Sequence, residues 1–124
     1  MKDQNIGFSV KGRLQSFMYA FRGLAFLIKT QHNSWIHMIA AVLVVIAGFY
    51  FRISIAEWLF VIFAIGFVFT AELFNTAIEC LVNLVSPENQ DKAGRIKDIA
   101  AGAVLVASLT ALVAGLIIFL PKIL

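Results

Sequence analysis

Cysteine and charged residues are both scarce in this chain of 124 residues. The single Cys80 excludes an intramolecular disulfide and a metal site built from several cysteines. Charged residues make up 14% of the chain and hydrophobic residues 61%, whereas soluble domains average roughly 25% and 45–50%. A water-soluble domain this small buries too little of its surface to hide that much apolar area. The composition therefore predicts a protein whose solvent is lipid.

Several other features are missing as well. No dense basic cluster accompanies the modest net charge of +3, which disfavours nucleic acid as a partner and suits contact with anionic lipid head groups. Residues 1–10 are polar and mixed in charge, so we expect no cleavable signal peptide. Internal repeats and low-complexity tracts are absent. The length predicts one domain over residues 1–124.

Long apolar stretches predict helices that contain three membrane spans, at residues 34–52, 56–85 and 98–120. No Asp, Glu, Lys or Arg lies between Lys29 and Arg52. The middle helix is unusual, because its charge-free part from Trp58 to Ala71 has only fourteen residues, or about 21 Å of helix. That is shorter than a hydrocarbon core of about 30 Å. Glu72 therefore lies either at the membrane edge or buried among helices.

Residues 11–30 predict an amphipathic helix ahead of the first span. Apolar residues recur there at steps of three and four, at Leu14, Phe17, Phe21, Leu24 and Ile28. Such a helix lies in the membrane interface with its cations toward lipid phosphates, or it packs against the protein's own bundle. The two placements are compatible.

The distribution of cations predicts the orientation. With the N-terminus in the cytoplasm, the loops and termini on that side carry eight of the ten Lys and Arg residues: Lys2, Lys11, Arg13, Arg22, Lys29, Lys92, Arg95 and Lys97. Only Arg52 and Lys122 then lie outside. The positive-inside rule favours this arrangement. It places the end of the middle helix where soluble nucleotides are found.

A polar stripe runs along one face of the middle helix. Glu72, Asn75, Thr76, Glu79 and Asn83 all fall within about 60° of Glu72 at 100° per residue. Ionisable groups at membrane depth usually face a bundle interior and mark function. The alternative is that the helix extends past the membrane and the stripe is solvated. Because Glu72 and Glu79 differ by about 10 Å along the axis, two separate roles are more plausible than one shared cation.

Lys97 and Asp98 form a second polar cluster just before the last span. A lysine at this level contacts a phosphate chain or a lipid head group, or it simply anchors the helix at the interface. His32 and His37 are about 140° apart on a helix and unsuited to shared metal ligation, which favours head-group or structural roles.

Two segments resemble the signature of the prokaryotic diacylglycerol kinase family, which includes the undecaprenol kinases. They are Glu-Leu-Phe-Asn-Thr-Ala-Ile-Glu at 72–79 and Ala-Gly-Arg-Ile-Lys-Asp-Ile-Ala-Ala-Gly-Ala-Val-Leu at 93–105. The resemblance covers nearly the whole chain. It implies an all-α homotrimeric membrane kinase that transfers the γ-phosphate of ATP, with Mg²⁺, to the hydroxyl of diacylglycerol or undecaprenol. Consistent with this, the sequence contains no P-loop and no protein-kinase signature.

The resemblance also implies residue roles. Glu72 is expected to be the general base that takes the proton of the lipid hydroxyl, and Glu79 to hold the Mg²⁺ that bridges ATP phosphates. Asn75 is expected to order the site. Lys97 and Asp98 are expected to bind the phosphate chain and its surroundings.

Two positions depart from the family pattern. Gln31 stands where family members commonly carry a second metal-binding glutamate, and Asn83 stands where an aspartate is usual. A carboxamide oxygen still ligates Mg²⁺, but without negative charge the metal affinity falls. Asn83, Asn33 and Arg22 are further candidates for substrate binding or site ordering. The segment from Asn33 to His37 looks more like the undecaprenol branch.

Two other functions compete with the kinase hypothesis. Gln31 and Asn83 are compatible with a catalytically weak or inactive structural homologue. A small multidrug-type transporter, in which a membrane glutamate binds cations, predicts a fourth span and a carboxylate within the first span. The sequence contains neither.

Overall fold

The computed structural model describes residues 7–88 and 90–124, which form four α-helices and, within those ranges, no β-strand. The helices are α1 (Val10–Thr30), α2 (His32–Tyr50), α3 (Ile55–Val85) and α4 (Asp91–Ile123). The prediction of an all-helical chain is confirmed for this part of the protein. Residues 1–6 of the predicted domain, with Lys2 among the counted cations, lie outside the described residues.

Three of these helices, α2, α3 and α4, are long and apolar enough to cross a membrane by length and composition. The three predicted spans thus lie in helices that have the length and composition to cross a membrane. Helix α4 begins at Asp91, ahead of the predicted residue 98, and continues past Pro121. Hydropathy marks only the part of a helix that suits lipid, so it does not locate the charged first turns. An acidic residue there favours the helix, because Asp91 lies near the positive end of the helix dipole.

A tight turn joins α2 to α3 at what we call the turn end of the bundle, residues 51–54. Arg52 takes a left-handed backbone conformation with φ 51°. A capping box then starts α3: the Ser54 hydroxyl accepts from the Glu57 N–H at 3.2 Å, and the Glu57 carboxylate accepts from the Ser54 N–H at 3.0 Å. The same carboxylate pairs with Lys122 at 3.2 Å, which ties the end of α4 to the start of α3.

Glycine is required where α2 crosses α3. A Cβ placed on Gly48 would lie 2.6 Å from the indole ring of Trp58. Next to this crossing, Ile53, Val61 and Ile118 form the buried apolar cluster of the turn end. The bundle is therefore closed at this end.

Helices α3 and α4 share the most extensive interface of the bundle. Ala107 is fully buried and Ala100 nearly so. Small side chains let the two backbones approach closely. The buried residues of α3 form a stripe that includes Val68, Glu72 and Thr76. The polar stripe therefore begins inside the bundle.

An elbow at Gln31 separates α1 from α2. Gln31 has an extended backbone, its carbonyl accepts a 2.6 Å hydrogen bond from the Ser34 hydroxyl, and its N–H donates to the Leu27 carbonyl at 2.9 Å. Of the residues of α1, only Leu27 is buried in the single chain. Most apolar side chains of α1 thus lie exposed, and its placement in a membrane interface stays a prediction.

Candidate active site

Glu72 lies between three helices, with only 4% of its surface exposed. Its Oε1 atom is hydrogen-bonded to Nδ1 of His37, which projects from α2. On the opposite side of the imidazole ring, Nε2 lies 3.2 Å from the Ser108 hydroxyl of α4. Of the two placements that the sequence left open, the structure thus shows burial among helices. We refer to Glu72, His37 and Ser108 as the carboxylate–imidazole cluster.

Two buried acceptor atoms near this cluster have no hydrogen-bond partner among the described residues. They are Oε2 of Glu72 and Oδ1 of Asn75. A buried polar atom without a partner costs about 1–3 kcal/mol, so each such atom in a native protein needs an explanation. Both lie on the polar stripe of α3, three residues apart. The arrangement leaves two hydrogen-bond acceptors available to a ligand that carries donors.

The rest of the polar stripe becomes more exposed toward the end of α3. Thr76 is buried, Asn75 and Glu79 are half-buried, and Asn83 is exposed. Burial therefore falls along the helix in the direction of Val85 and the start of α4. We call this the polar end of the bundle.

Lys97 and Asn83 are brought together at the polar end. The Lys97 ammonium group donates a 2.6 Å hydrogen bond to the Asn83 side-chain oxygen, which joins α4 to α3. Since Asn83 carries no charge, the hydrogen bond orients the lysine but does not neutralise it. The positive charge remains available to an anion.

The other candidate residues are not gathered around this contact. Asp98 follows Lys97 on α4 but is exposed, in a surface depression beside Asp91 and Arg95. Neighbouring residues of a helix point about 100° apart, so only one of the pair faces α3. Asn33 and Arg22 are exposed as well. The guanidinium group of Arg22 lies over the ring of Tyr19 at 5.6 Å, on α1.

The oxygen donors present suit Mg²⁺ bound together with phosphates. Within residues 7–88 and 90–124, no three His, Cys, Asp or Glu side chains form a ready-made metal cage. Mg²⁺ is usually held by one or two carboxylates together with substrate phosphate oxygens. Glu79 offers one carboxylate, half-buried on the stripe, and Gln31 is half-buried at the elbow. Each of these side chains carries the type of oxygen that ligates Mg²⁺ arriving with a nucleotide.

An apolar groove of about 400 Å³ runs along α3 between α2 and α4. Its lining is almost entirely aliphatic and aromatic, and it extends from His37 to Phe119 near the turn end. His37 and Ser108 are the polar exceptions in the lining. The groove therefore begins at the imidazole ring that also holds the buried carboxylate.

Sequence reasoning missed the part that His37 and Ser108 take in this site. It rejected the two histidines as a shared metal site and favoured head-group or structural roles, but it did not identify the partner of His37, which is Glu72, 35 positions away on another helix. One signal was present, because an ionisable side chain inside a span usually faces a functional interior. Ser108 carried no comparable signal in the apolar sequence of α4.

Known proteins resemble this chain over most of its length. A model of prokaryotic diacylglycerol kinases matches residues 18–119. The chain is 43% identical over 108 residues to an undecaprenol kinase of Bacillus subtilis, covering 87% of this chain and 88% of that protein. It is 34% identical over 112 residues to a diacylglycerol kinase of Synechocystis, covering 90% of this chain and 64% of that protein. The chain thus belongs to the prokaryotic diacylglycerol kinase family, a family of lipid kinases.

Proposed function

We propose that the protein transfers the γ-phosphate of ATP, with Mg²⁺, to the hydroxyl of a membrane lipid alcohol. The acceptor is undecaprenol or diacylglycerol, and the 43% identity to an undecaprenol kinase favours the former. One observation carries the proposal: Glu72 is buried between three helices with Oε2 unpartnered among the described residues. A carboxylate in this state is suited to accept a proton from an uncharged hydroxyl group.

Glu72 acts as the general base. Its Oε1 atom is already engaged by His37, so the acceptor hydroxyl meets Oε2. As the hydroxyl oxygen attacks the γ-phosphorus, its proton passes to this carboxylate oxygen. Asn75 orders the site, since its Oδ1 is buried nearby and can accept a hydrogen bond from the acceptor or a bound water.

The nucleotide binds toward the polar end. Glu79 and Gln31 would hold Mg²⁺ through their side-chain oxygens, and the metal would supply positive charge that offsets the charge developing on the phosphates during transfer. Lys97 contacts the phosphate chain. Its ammonium group is oriented by the 2.6 Å hydrogen bond that it donates to the Asn83 side-chain oxygen. Asp98 lies beside it and contributes to the surroundings of the nucleotide.

Asn33 and Arg22 complete the proposed site as substrate-binding residues. Both are exposed: Asn33 lies two residues after the elbow on α2, and Arg22 lies nine residues before it on α1. Their exposed donor groups suit head-group or phosphate oxygens.

The hydrocarbon chain of the acceptor lies in the apolar groove. The groove is lined by carbon surface, and it starts at His37, whose Nδ1 holds Glu72. A chain in the groove therefore places its alcohol end beside the carboxylate. Burial of each methylene contributes about 0.8 kcal/mol, so a long polyprenyl or acyl chain binds without specific polar contacts.

The proposed setting is the bacterial cytoplasmic membrane, with the N-terminus in the cytoplasm and three copies of the chain in the active assembly. Cations in the first two turns of α4, such as Lys92 and Lys97, support this orientation. Large apolar side chains such as Phe63, Phe74 and Ile117 are exposed in the single chain. Lipid and neighbouring subunits are the surroundings that such side chains require.

The experiment is phosphate transfer from labelled ATP in mixed micelles, with undecaprenol and diacylglycerol offered in parallel. We expect a labelled lipid product, faster with undecaprenol, that requires Mg²⁺ and disappears when the metal is chelated. Failure to phosphorylate either lipid by protein shown to be trimeric would instead identify an inactive structural homologue.

A further inference from the structure

The two oxygens of Glu72 have different surroundings. Oε1 is bonded to Nδ1 of His37, while Oε2 is buried with no partner among residues 7–88 and 90–124. An ionised carboxylate only accepts hydrogen bonds, so Nδ1 of the ring must carry a proton. This holds whether the imidazole is neutral or cationic.

Ser108 completes the arrangement from the other side of the ring. Its hydroxyl lies 3.2 Å from Nε2 and can donate to a neutral ring or accept from a cationic one. The three groups come from three different helices, α3, α2 and α4. The ring therefore cannot rotate away from Glu72 without breaking both contacts.

We propose that His37 is a positioning residue, which holds Oε1 of Glu72 so that Oε2 is the atom that accepts the proton of the acceptor alcohol. Ser108 supports it by fixing the orientation of the ring. This assignment rests on the proposed function, since it specifies how the same site works. A free carboxylate rotates about its last torsion, whereas a carboxylate held through one oxygen presents the other in a constant direction.

The location of His37 supports this role. Its side chain is 24% exposed, while that of Glu72 is 5% exposed. The ring also lines the start of the apolar groove. It therefore stands between the buried base and the space that receives the acceptor chain, where a small displacement of the carboxylate changes its distance to the hydroxyl.

The kinetic test compares His37→Leu with His37→Asn. Leucine removes the donor, and we expect kcat to fall about 10- to 100-fold with little change in the KM for ATP. The asparagine amide nitrogen can take the place of Nδ1, so His37→Asn should keep a kcat at least about tenfold above that of His37→Leu. His32→Asn is the matched control, because His32 lies five residues earlier on α2, exposed and against Trp35.

Ser108→Ala tests the second contact. It should lower kcat less than His37→Leu, because the ring keeps its bond to Glu72. Thr110→Val is its control, since the Thr110 hydroxyl is exposed and donates only within its own helix, to the Val106 carbonyl.

A second measurement needs no turnover. The chain has two histidines, so ¹⁵N-histidine labelling gives two ring systems in a micelle or nanodisc NMR spectrum. In the wild type we expect His37 to show a protonated Nδ1. In Glu72→Leu we expect its nitrogen shifts to move toward the tautomer mixture of a free imidazole, while those of His32 stay in place.

The outcomes separate the two hypotheses. Wild-type protein that phosphorylates no lipid alcohol refutes the proposed function, and the positioning role with it. Active wild type with an unchanged kcat in His37→Leu refutes the positioning role alone. So does an His37 spectrum that does not respond to Glu72→Leu. Equal losses in His37→Leu and His37→Asn would show that the ring merely fills space.

Discussion

Replacing Glu72 by glutamine tests the proposed base most directly, because it removes the charge and hardly alters the shape. The glutamine oxygen can still accept the hydrogen bond from Nδ1 of His37. The amide nitrogen then occupies the place of Oε2, which has no partner among the described residues. A carboxamide takes up no proton near neutral pH. The contact between α2 and α3 therefore persists while the base is lost.

The expected effect on activity exceeds the expected effect on stability. A general base contributes about 10²- to 10⁴-fold in rate, which is about 2.7–5.4 kcal/mol at about 1.36 kcal/mol per factor of ten. Each new amide N–H group that is left without an acceptor costs about 1–3 kcal/mol. Loss of a carboxylate that is only 4% exposed acts in the opposite direction. We therefore expect a well-folded trimer that has lost at least about 99% of its kcat.

The assay measures kcat with labelled ATP and saturating lipid alcohol in mixed micelles, alongside ATP binding and the oligomeric state. Glu57→Gln is the matched control. Glu57 lies at the turn end, and glutamine is accepted at this position of a capping box. Its kcat should equal that of the wild type.

A Glu72→Gln variant that keeps a kcat within about threefold of the wild type would refute this reasoning, since a base contributes at least about a hundredfold. The proton acceptor would then be another group, and the burial of Glu72 would have a purely structural explanation. Loss of the trimer together with activity would also indicate that Glu72 has a structural role. Only a folded, nucleotide-binding, inactive variant agrees with the proposal.

Three further predictions concern the metal and the groove. Glu79→Ala should raise the Mg²⁺ concentration needed for half-maximal activity at least about tenfold, because the site loses a carboxylate ligand; an unchanged Mg²⁺ titration would remove Glu79 from the metal site. Gln31→Glu should lower that requirement or leave it unchanged, and a marked loss of activity would show that Gln31 is misassigned. A Cβ on Gly115, in the groove lining, would meet no atom within 4 Å, so Gly115→Leu should fill part of the groove and raise the KM for the lipid but not for ATP. Gly66→Leu is its control, because a Cβ on Gly66 is equally free and Gly66 is outside the groove lining; loss of the trimer in Gly115→Leu alone would show that a neighbouring chain fills the groove.

The sequence predicted the helices well, because the relevant signals are local. Runs of apolar residues indicate which segments suit lipid, and the three spans follow from them. The fourteen uncharged residues before Glu72 were too few for a span. This shortfall was enough to draw attention to Glu72. It did not decide whether Glu72 lies at the membrane edge or in the bundle interior, because that depends on which residues of α2 and α4 face Glu72.

The contacts of the site depend on relations between helices, which periodicity on one helix does not contain. The helical periodicity of the sequence correctly placed the polar stripe on one face of α3. It did not reveal that His37 meets Glu72, or that Ser108 meets His37, because these pairs are 35 and 71 positions apart. For the same reason it treated Lys97 and Asp98 as one cluster. Close packing of α4 on α3 turns Lys97 toward Asn83 and leaves Asp98 exposed.

The length of α3 agrees with the proposed function, in which one helix serves both a lipid and a nucleotide. Its 31 residues extend about 46 Å at 1.5 Å per residue, against a hydrocarbon core of about 30 Å. With Ile55 at one edge of the core, Glu72 lies about 26 Å along the axis and Glu79 about 36 Å. The first carboxylate then falls just inside the opposite edge, where the hydroxyl of a membrane alcohol resides, and the second falls just outside it, in water. Phosphoryl transfer requires mainly that the two reactants be positioned in line. In the proposed function, a helix that extends a few turns beyond the hydrocarbon core supplies that positioning.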